Sequence, residues 1–195
     1  MQLVDCFYDL GIIKFGSFEL KSKIVSPFYL DLRESISYPE VLINIAIAIE
    51  SKAKNLTFDA VLGVPYTGIP IASAFSILFK KPLLLMRKER KTYGTKKLLE
   101  GVYKKGSNVL IIEDITTTGS SVKETVLAAR KEGLVVTHVI SLIDREQGAQ
   151  DALKKENCQL ISLFSIHQIL SQLINTKKIS QEHYESAMNF LRNPL

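Results

Sequence analysis

The stretch Val109–Ser121, VLIIEDITTTGSS, decides the fold. Its first four residues suit a buried strand, yet they run straight into two carboxylates, Glu113 and Asp114, and then into hydroxyls around Gly119. Adjacent acids are poor core material, because burying an unpaired charge is costly. At the end of a strand they serve a ligand better. Gly119 permits a tight turn, and the amides and hydroxyls of Thr116, Thr117, Thr118, Gly119, Ser120 and Ser121 can form an anion cradle that leads into a helix N-terminus. Carboxylates would repel a phosphate held there unless they faced something else, and a polyol offers them hydroxyl donors. The pattern predicts a sugar phosphate, with its diol on Glu113 and Asp114 and its phosphate on the loop. The stretch lacks the GKS or GKT ending of a P-loop and the GxGxxG of a dinucleotide fold. Exposed acids at a strand end, followed by a plain helix cap, remain the alternative on these residues alone.

Outward from this stretch, short apolar runs alternate with helical segments. FDAVLGV (58–64), PLLLMR (82–87), NVLIIED (108–114) and VTHVISLID (136–144) read as strands; GIPIASAFSILFK (68–80) and a segment from about 121 to 132 read as helices. Ser121, three residues before Glu124, predicts a capping box at the start of the latter helix, and Gly133 its end. PEVLINIAIAIESKAK opens at Pro39 with a proline where helices accept one, and its wide apolar face predicts a mostly buried helix. Such alternation is the α/β pattern of a mostly parallel central sheet with helices on both faces. The carboxyl ends of its strands should carry the ligand groups. Three polar, glycine-containing loops fall at that rim: PYTG after 58–64, TTTGSS after the acids, and REQG after 136–144. Residues 2–13 read as a helix, FELKS (18–22) and SPFYLDL (26–32) as short strands or an extended pair, CQLISLF as a further strand, and 166–175 and 180–192 as helices. With no linker and no repeat, residues 1–195 are expected to form a single domain.

The chain has 195 residues, 46% hydrophobic and 23% charged, the composition of a soluble globular protein. MQLVDCFYDL has Asp5 and no basic leader, and no segment offers eighteen uninterrupted apolar residues, so a cytoplasmic protein without a membrane span is expected. Cys6 and Cys158, with no CxxC and no neighbouring histidine, are expected to be buried free thiols. His138, His167 and His183 show no zinc spacing. The net charge of +5 is concentrated in RKERKTYGTKK (87–97), where six bases stand against Glu89 and give that segment a net +5 by itself. The charge points to a focused anion site, with little left over for a nucleic-acid surface. A loop that closes over a pyrophosphate-like group is one use of it, since charge-assisted bonds to phosphate strengthen when water is excluded. A solvated basic face is the other.

EDITTTGSS resembles the phosphoribosyl-pyrophosphate motif of type I phosphoribosyltransferases, in which an apolar strand leads into two acids and a Thr/Gly-rich loop. More narrowly, FGSFELKSKIVSPFYLDLR (15–33), GVPYTGIPIA (63–72), MRKERKTYGTK (86–96) and SLIDREQG (141–148) resemble, in order, blocks of the orotate phosphoribosyltransferase family. The resemblance implies a type I phosphoribosyltransferase fold with a small N-terminal hood over residues 1–38. It implies orotate held among Lys21, Phe28, Tyr29, Thr117 and Arg145, and pyrophosphate held by Tyr66, Arg87, Lys88 and Lys91, with Tyr93 nearby. Lys91, Asp114 and Glu113 would act on the reaction itself, and Mg2+ would arrive with the substrate and take no dedicated protein ligand. A homodimer, with the basic loop of one subunit reaching the other's site, is also implied. An arginine fork and an aromatic neighbour do suit a flat anion such as orotate. On the residues alone, core packing is preferred for at least one of Phe28 and Tyr29, and pairing of Arg145 with Asp144 or Glu146 stays open.

The sequence departs from the family's common bacterial form at Thr67, where a lysine often follows the tyrosine, and at Tyr93, where a histidine is usual. The YGTK wording instead resembles the phosphoribosyltransferase half of bifunctional uridine monophosphate synthases. A phenol with an ordinary pKa of about 10 is a reluctant proton donor. A purine phosphoribosyltransferase is the rival reading, disfavoured by the LKS, YGTK and DREQG blocks; a phosphoribosyl-pyrophosphate-sensing, nucleic-acid-binding regulator is a more distant one.

Overall fold

The strand that carries the two acids lies in the middle of the main sheet. The structure, a computed structural model, describes residues 3–20, 23–87 and 98–192. In chain order the elements begin with α1 (Leu3–Asp9), the strands β1 (Ile13–Glu19) and β2 (Val25–Leu30), α2 (Pro39–Ala53) and β3 (Ala60–Gly63). They continue with α3 (Gly68–Phe79), β4 (Leu83–Met86), β5 (Leu99–Glu100), β6 (Val109–Thr116), α4 (Ser120–Lys131) and β7 (His138–Asp144). The last are α5 (Ala149–Lys154), β8 (Gln159–Ser165), α6 (Ile166–Asn175) and α7 (Gln181–Arg192). The main sheet runs β5-β4-β3-β6-β7-β8, and only β5 is antiparallel to its neighbour.

Side chains on a strand alternate between faces, and β6 shows what each face meets. Leu110 and Ile112 join the core built by Ile45 of α2, Ile71 and Phe75 of α3 and Ile169 of α6. Val109 and Ile111 join the other, with Val122 and Val126 of α4 and Leu153 of α5. Helices therefore cover both faces, as the α/β reading expects. In α2, Ile45 and Ile49 are fully buried, whereas Ile43 and Ile47 are exposed, so the helix is less enclosed than its composition implies.

The first two strands form a separate antiparallel pair. Phe28 of β2 meets Phe190 of α7 edge-on at 6.0 Å, and Phe15 of β1 stacks on His183 of α7 at 5.4 Å. The two ends of the described chain thus pack together beside the sheet.

Three elements were not anticipated: β5, α5, and a 3-10 turn over Leu32–Ser37. The capping box expected at Ser121 is not formed. Helix α4 begins one residue earlier, Gly119 is its N-cap, and no side chain caps it. A capping box does form at α6, between Ser165 and Gln168. Cys6 and Cys158 are free and buried. No helix among the described residues is long and apolar enough to cross a membrane.

Candidate active site

From β3 the chain crosses to β4 on one side, and from β6 it crosses to β7 on the other. Such a reversal opens a crevice at the carboxyl ends of the two central strands. Here they are joined by register pairs such as Gly63 with Ile112. Two loops flank the crevice, residues 64–67 after β3 and 117–119 after β6. The first is drawn tightly against the sheet: a Cβ on Gly63 would lie 2.3 Å from the Gly68 carbonyl oxygen, and one on Gly68 would lie 2.7 Å from that of Ile112. Only glycine allows this approach.

Glu113 is 5% exposed, and its Oε1 accepts the Asp114 amide at 3.1 Å. It continues the row of Val109 and Ile111 toward α4. Burial first, and the neighbouring Asp114 second, push its carboxyl up to about 10. Glu113 is therefore held protonated at neutral pH, where the sequence alone suggested a charged acceptor. Asp114 is half-buried on the alternate row, and its Oδ1 accepts the Ile115 amide at 2.8 Å.

Beyond the acids, Glu113, Ile115 and residues 116–122 enclose a small concavity of about 50 Å³. Gly119 has φ +83°, and a Cβ there would lie 3.0 Å from Ala149 Cα, so the turn needs glycine on both counts. The Thr118 and Ser120 hydroxyls lie 2.9 Å apart and are exposed, and Ser121 is exposed beside them. With no side-chain cap on α4, the amides of its first turn are left for an anion. The Thr117 carbonyl accepts from Ala149 N at 3.1 Å, which ties the cradle to α5. Thr116 is 2% exposed, and its hydroxyl turns to β7, 3.3 Å from both Ser141 Oγ and Asp144 Oδ1, so its side chain braces the strands beneath the cradle.

A wider cleft of about 590 Å³ adjoins the cradle, bounded by Pro65, Arg87, Leu98, Ser121 and Glu124. Arg87 lines it, but its Nε donates to Glu100 Oε1 at 2.8 Å, so the guanidinium is already shared with β5. Tyr66 stands at the rim, 70% exposed. Lys21, Lys88, Lys91 and Tyr93 lie outside the described residues.

Arg145 follows β7, its backbone N–H held by the Thr116 carbonyl at 2.9 Å. Its guanidinium carbon lies 5.2 Å from the centroid of the Phe28 ring. Nε and Nη2 are buried and have no hydrogen-bond partner among the described residues. Burial lowers the pKa of the group, since no internal carboxylate offsets the lost hydration. Neither sequence neighbour pairs with it. Asp144 Oδ1 accepts the Glu146 amide at 2.9 Å and the Thr116 hydroxyl, and burial pushes its carboxyl up. Glu146 pairs with His167 Nδ1 and also accepts the His167 backbone N–H at 3.4 Å. Burial would raise the Glu146 carboxyl, but the hydrogen bond and charge of His167 outweigh it and leave it lowered.

Phe28 and Tyr29 do not act as a pair, because consecutive strand residues point to opposite faces. Phe28 is 1% exposed, between Arg145 and Phe190. Tyr29 stacks on Phe18 at 5.6 Å, and its hydroxyl accepts from Arg33 Nη2 at 3.1 Å. Core packing thus holds for Phe28, which still presents a ring to the arginine. Ser141, Asp144 and Glu146, inside the SLIDREQG block, also shape the site, and so does His167, which no sequence pattern linked to it.

An acid-lined strand end, a glycine-dependent cradle at a helix start and an arginine with free buried donors converge at one sheet rim. Residues 37–179 match the family model described as a phosphoribosyl transferase domain. The orotate phosphoribosyltransferase of Caenorhabditis elegans is 41% identical over 189 residues, covering 96% of this chain and 83% of that protein. The uridine 5'-monophosphate synthase of Bos taurus is 43% identical over 193 residues, covering 98% of this chain; the chain spans 40% of that longer protein's length. Among solved structures, orotate phosphoribosyltransferase from Aeropyrum pernix superimposes with a TM-score of 0.80 at 29% identity, covering 88% of this chain and 98% of that one. The chain belongs to the orotate phosphoribosyltransferases of this family.

Proposed function

We propose that the chain transfers the 5-phosphoribosyl group of 5-phosphoribosyl 1-pyrophosphate to orotate, in the cytoplasm, giving orotidine 5'-monophosphate and pyrophosphate. The observation that carries the orotate half is Arg145. A cation with two buried, unpartnered donors over an aromatic ring suits a flat carboxylate-bearing base, which would fill both donors at once. The phosphoribosyl half rests on the cradle at 117–121, with the 5'-phosphate on the α4 amides and the ribose diol on Glu113 and Asp114. A protonated Glu113 suits that arrangement, because it can donate to and accept from sugar hydroxyls without repelling the adjacent phosphate.

In the reaction, the bond from ribose carbon 1 to pyrophosphate oxygen breaks. A bond from that carbon to an orotate ring nitrogen forms on the opposite face, inverting the centre, and the proton of that nitrogen passes to the departing pyrophosphate. Positive charge develops on the sugar as the leaving bond stretches, and Asp114 beside the ribose favours it. Arg145 and Phe28 fix the plane of orotate, so that its nitrogen meets the carbon in line. Among the described residues no three His, Cys, Asp or Glu side chains group as a metal site. Mg2+ keeps several waters and takes few protein ligands, so Asp114 would be enough to hold it at the ribose, with the substrate supplying the other oxygens. When bound it would neutralise charge on the leaving pyrophosphate. Lys88 and Lys91 would share that task, with Lys91 delivered from the second subunit of a homodimer.

The test is turnover of orotate against adenine, guanine, hypoxanthine and uracil, each with phosphoribosyl pyrophosphate, with and without Mg2+. Orotate should be consumed, with pyrophosphate released, only when all three components are present. Preferential use of a purine under matched conditions would overturn the assignment.

A further inference from the structure

Arg145 is flanked in sequence by two acids, either of which could neutralise it, and both are engaged elsewhere. Asp144 is occupied by the Thr116 hydroxyl and the Glu146 amide. Glu146 is the more dangerous neighbour, because it sits at the surface end of the loop, with about two-fifths of its side chain exposed. Consecutive Cα atoms are about 3.8 Å apart, so side chains of this length at residues 145 and 146 can bring their charges together in some rotamers. Two features turn Glu146 away, its backbone conformation and its partner in α6. Its φ of +56° is in the left-handed region, held by the bond from its amide to Asp144, and its carboxylate meets the first turn of α6. There it accepts from both the backbone N–H and Nδ1 of His167, a residue 21 positions further along the chain.

We propose that His167 is a positioning residue for base recognition: by holding the Glu146 carboxylate at the start of α6, it keeps the Arg145 guanidinium free for the orotate carboxylate. The inference rests on the proposed role of Arg145 and adds how that role is protected. In its absence Glu146 becomes a built-in competitor for the arginine. Affinity for orotate then falls by the fraction of molecules in which Arg145 remains unpaired.

The test compares wild type, His167→Ala, Glu146→Gln and the double variant Glu146→Gln/His167→Ala, titrating orotate and phosphoribosyl pyrophosphate separately by calorimetry. An internal pair favoured about ten to one would weaken orotate binding about tenfold in His167→Ala. Removing the Glu146 charge in the double variant should return orotate affinity to within about twofold of wild type. Affinity for the sugar substrate, similar in all four, certifies that each variant is folded. A double variant as weak as His167→Ala would show that His167 merely braces the fold and would overturn the inference, as would an unchanged His167→Ala. A parallel titration of Arg145→Ala separates the two levels. Orotate binding equal to wild type there would overturn the role of Arg145 itself, and the inference with it.

Discussion

Arg145→Met should make the unliganded protein more stable and the enzyme worse at binding orotate. The arginine leaves Nε and Nη2 buried without partners and holds its charge in a partly desolvated setting. A buried polar group without a partner costs about 1 to 3 kcal/mol. Methionine keeps the length of the side chain and a favourable sulfur contact with the Phe28 ring, so most of that cost should be recovered. At about 2–4 °C per kcal/mol for a chain of this size, recovering about 2 kcal/mol should raise the melting temperature by about 4–8 °C. The sign follows from linkage. A base whose folded pKa is depressed is penalised at every pH below that value and relieved only above the unfolded one, so the gain should be the same at pH 6 and pH 8. Orotate affinity should fall by about two orders of magnitude, since truncating one partner of a buried charge pair costs about 2 to 5 kcal/mol. Scanning calorimetry with and without orotate reads both effects. Ligand should raise the melting temperature of wild type and leave the variant unmoved. A variant that melts lower than wild type, or that orotate stabilises equally, would refute the reasoning.

Glu113→Gln tests the other displaced ionisation. A carboxyl raised to about 10 in the fold keeps its proton while the unfolded chain loses its own, so wild-type stability should decline as pH rises from the ordinary carboxylate range toward 10. Urea titrations of both proteins should agree near pH 4 and diverge with rising pH; parallel curves would rule this out. Gly119→Ala forces a Cβ onto φ +83° against Ala149, at a cost of about 1–2 kcal/mol. It should weaken phosphoribosyl pyrophosphate by at least about tenfold, by loss of cradle geometry, while orotate binding hardly changes; unaltered sugar binding would remove the loop from the phosphate site. For the homodimer, a heterodimer of Lys91→Ala and Asp114→Asn subunits should keep about half of wild-type activity if Lys91 acts on the partner's site, because both lesions then share one site. Activity no better than the mean of the two mutant homodimers would place Lys91 in its own subunit's site.

The order of strands and helices was legible because β3, β6 and β7 are apolar runs that end in polar, glycine-bearing loops. The short elements were not. β5 is two residues long and exists because it pairs with β4, and α5 carries only Ala149 and Leu153 as its buried contribution. Within the site, the identity of the acids and the need for glycine at 119 could be read locally. The direction of side chains could not. Thr116 looks like part of the threonine run, yet it occupies the last register position of β6 opposite Asp144, which turns its hydroxyl into the sheet. The raised carboxyl of Glu113 depends on its burial, and the direction in which Glu146 points depends on a partner in another helix. Both are tertiary facts without a local signature.

The close approach at Gly63, Gly68 and Ile112 sets a gauge. The turn from β3 into α3 meets the middle of β6, at Ile112, through backbone atoms. The spacing between that turn and the strand is therefore set by direct backbone contact more than by how the cores on either face are packed. Substitutions deep in those cores can raise or lower stability without altering that separation. A bulkier residue at either glycine would instead lengthen the gauge. The approach of α3 to the central strand is in this way held by the smallest residue available.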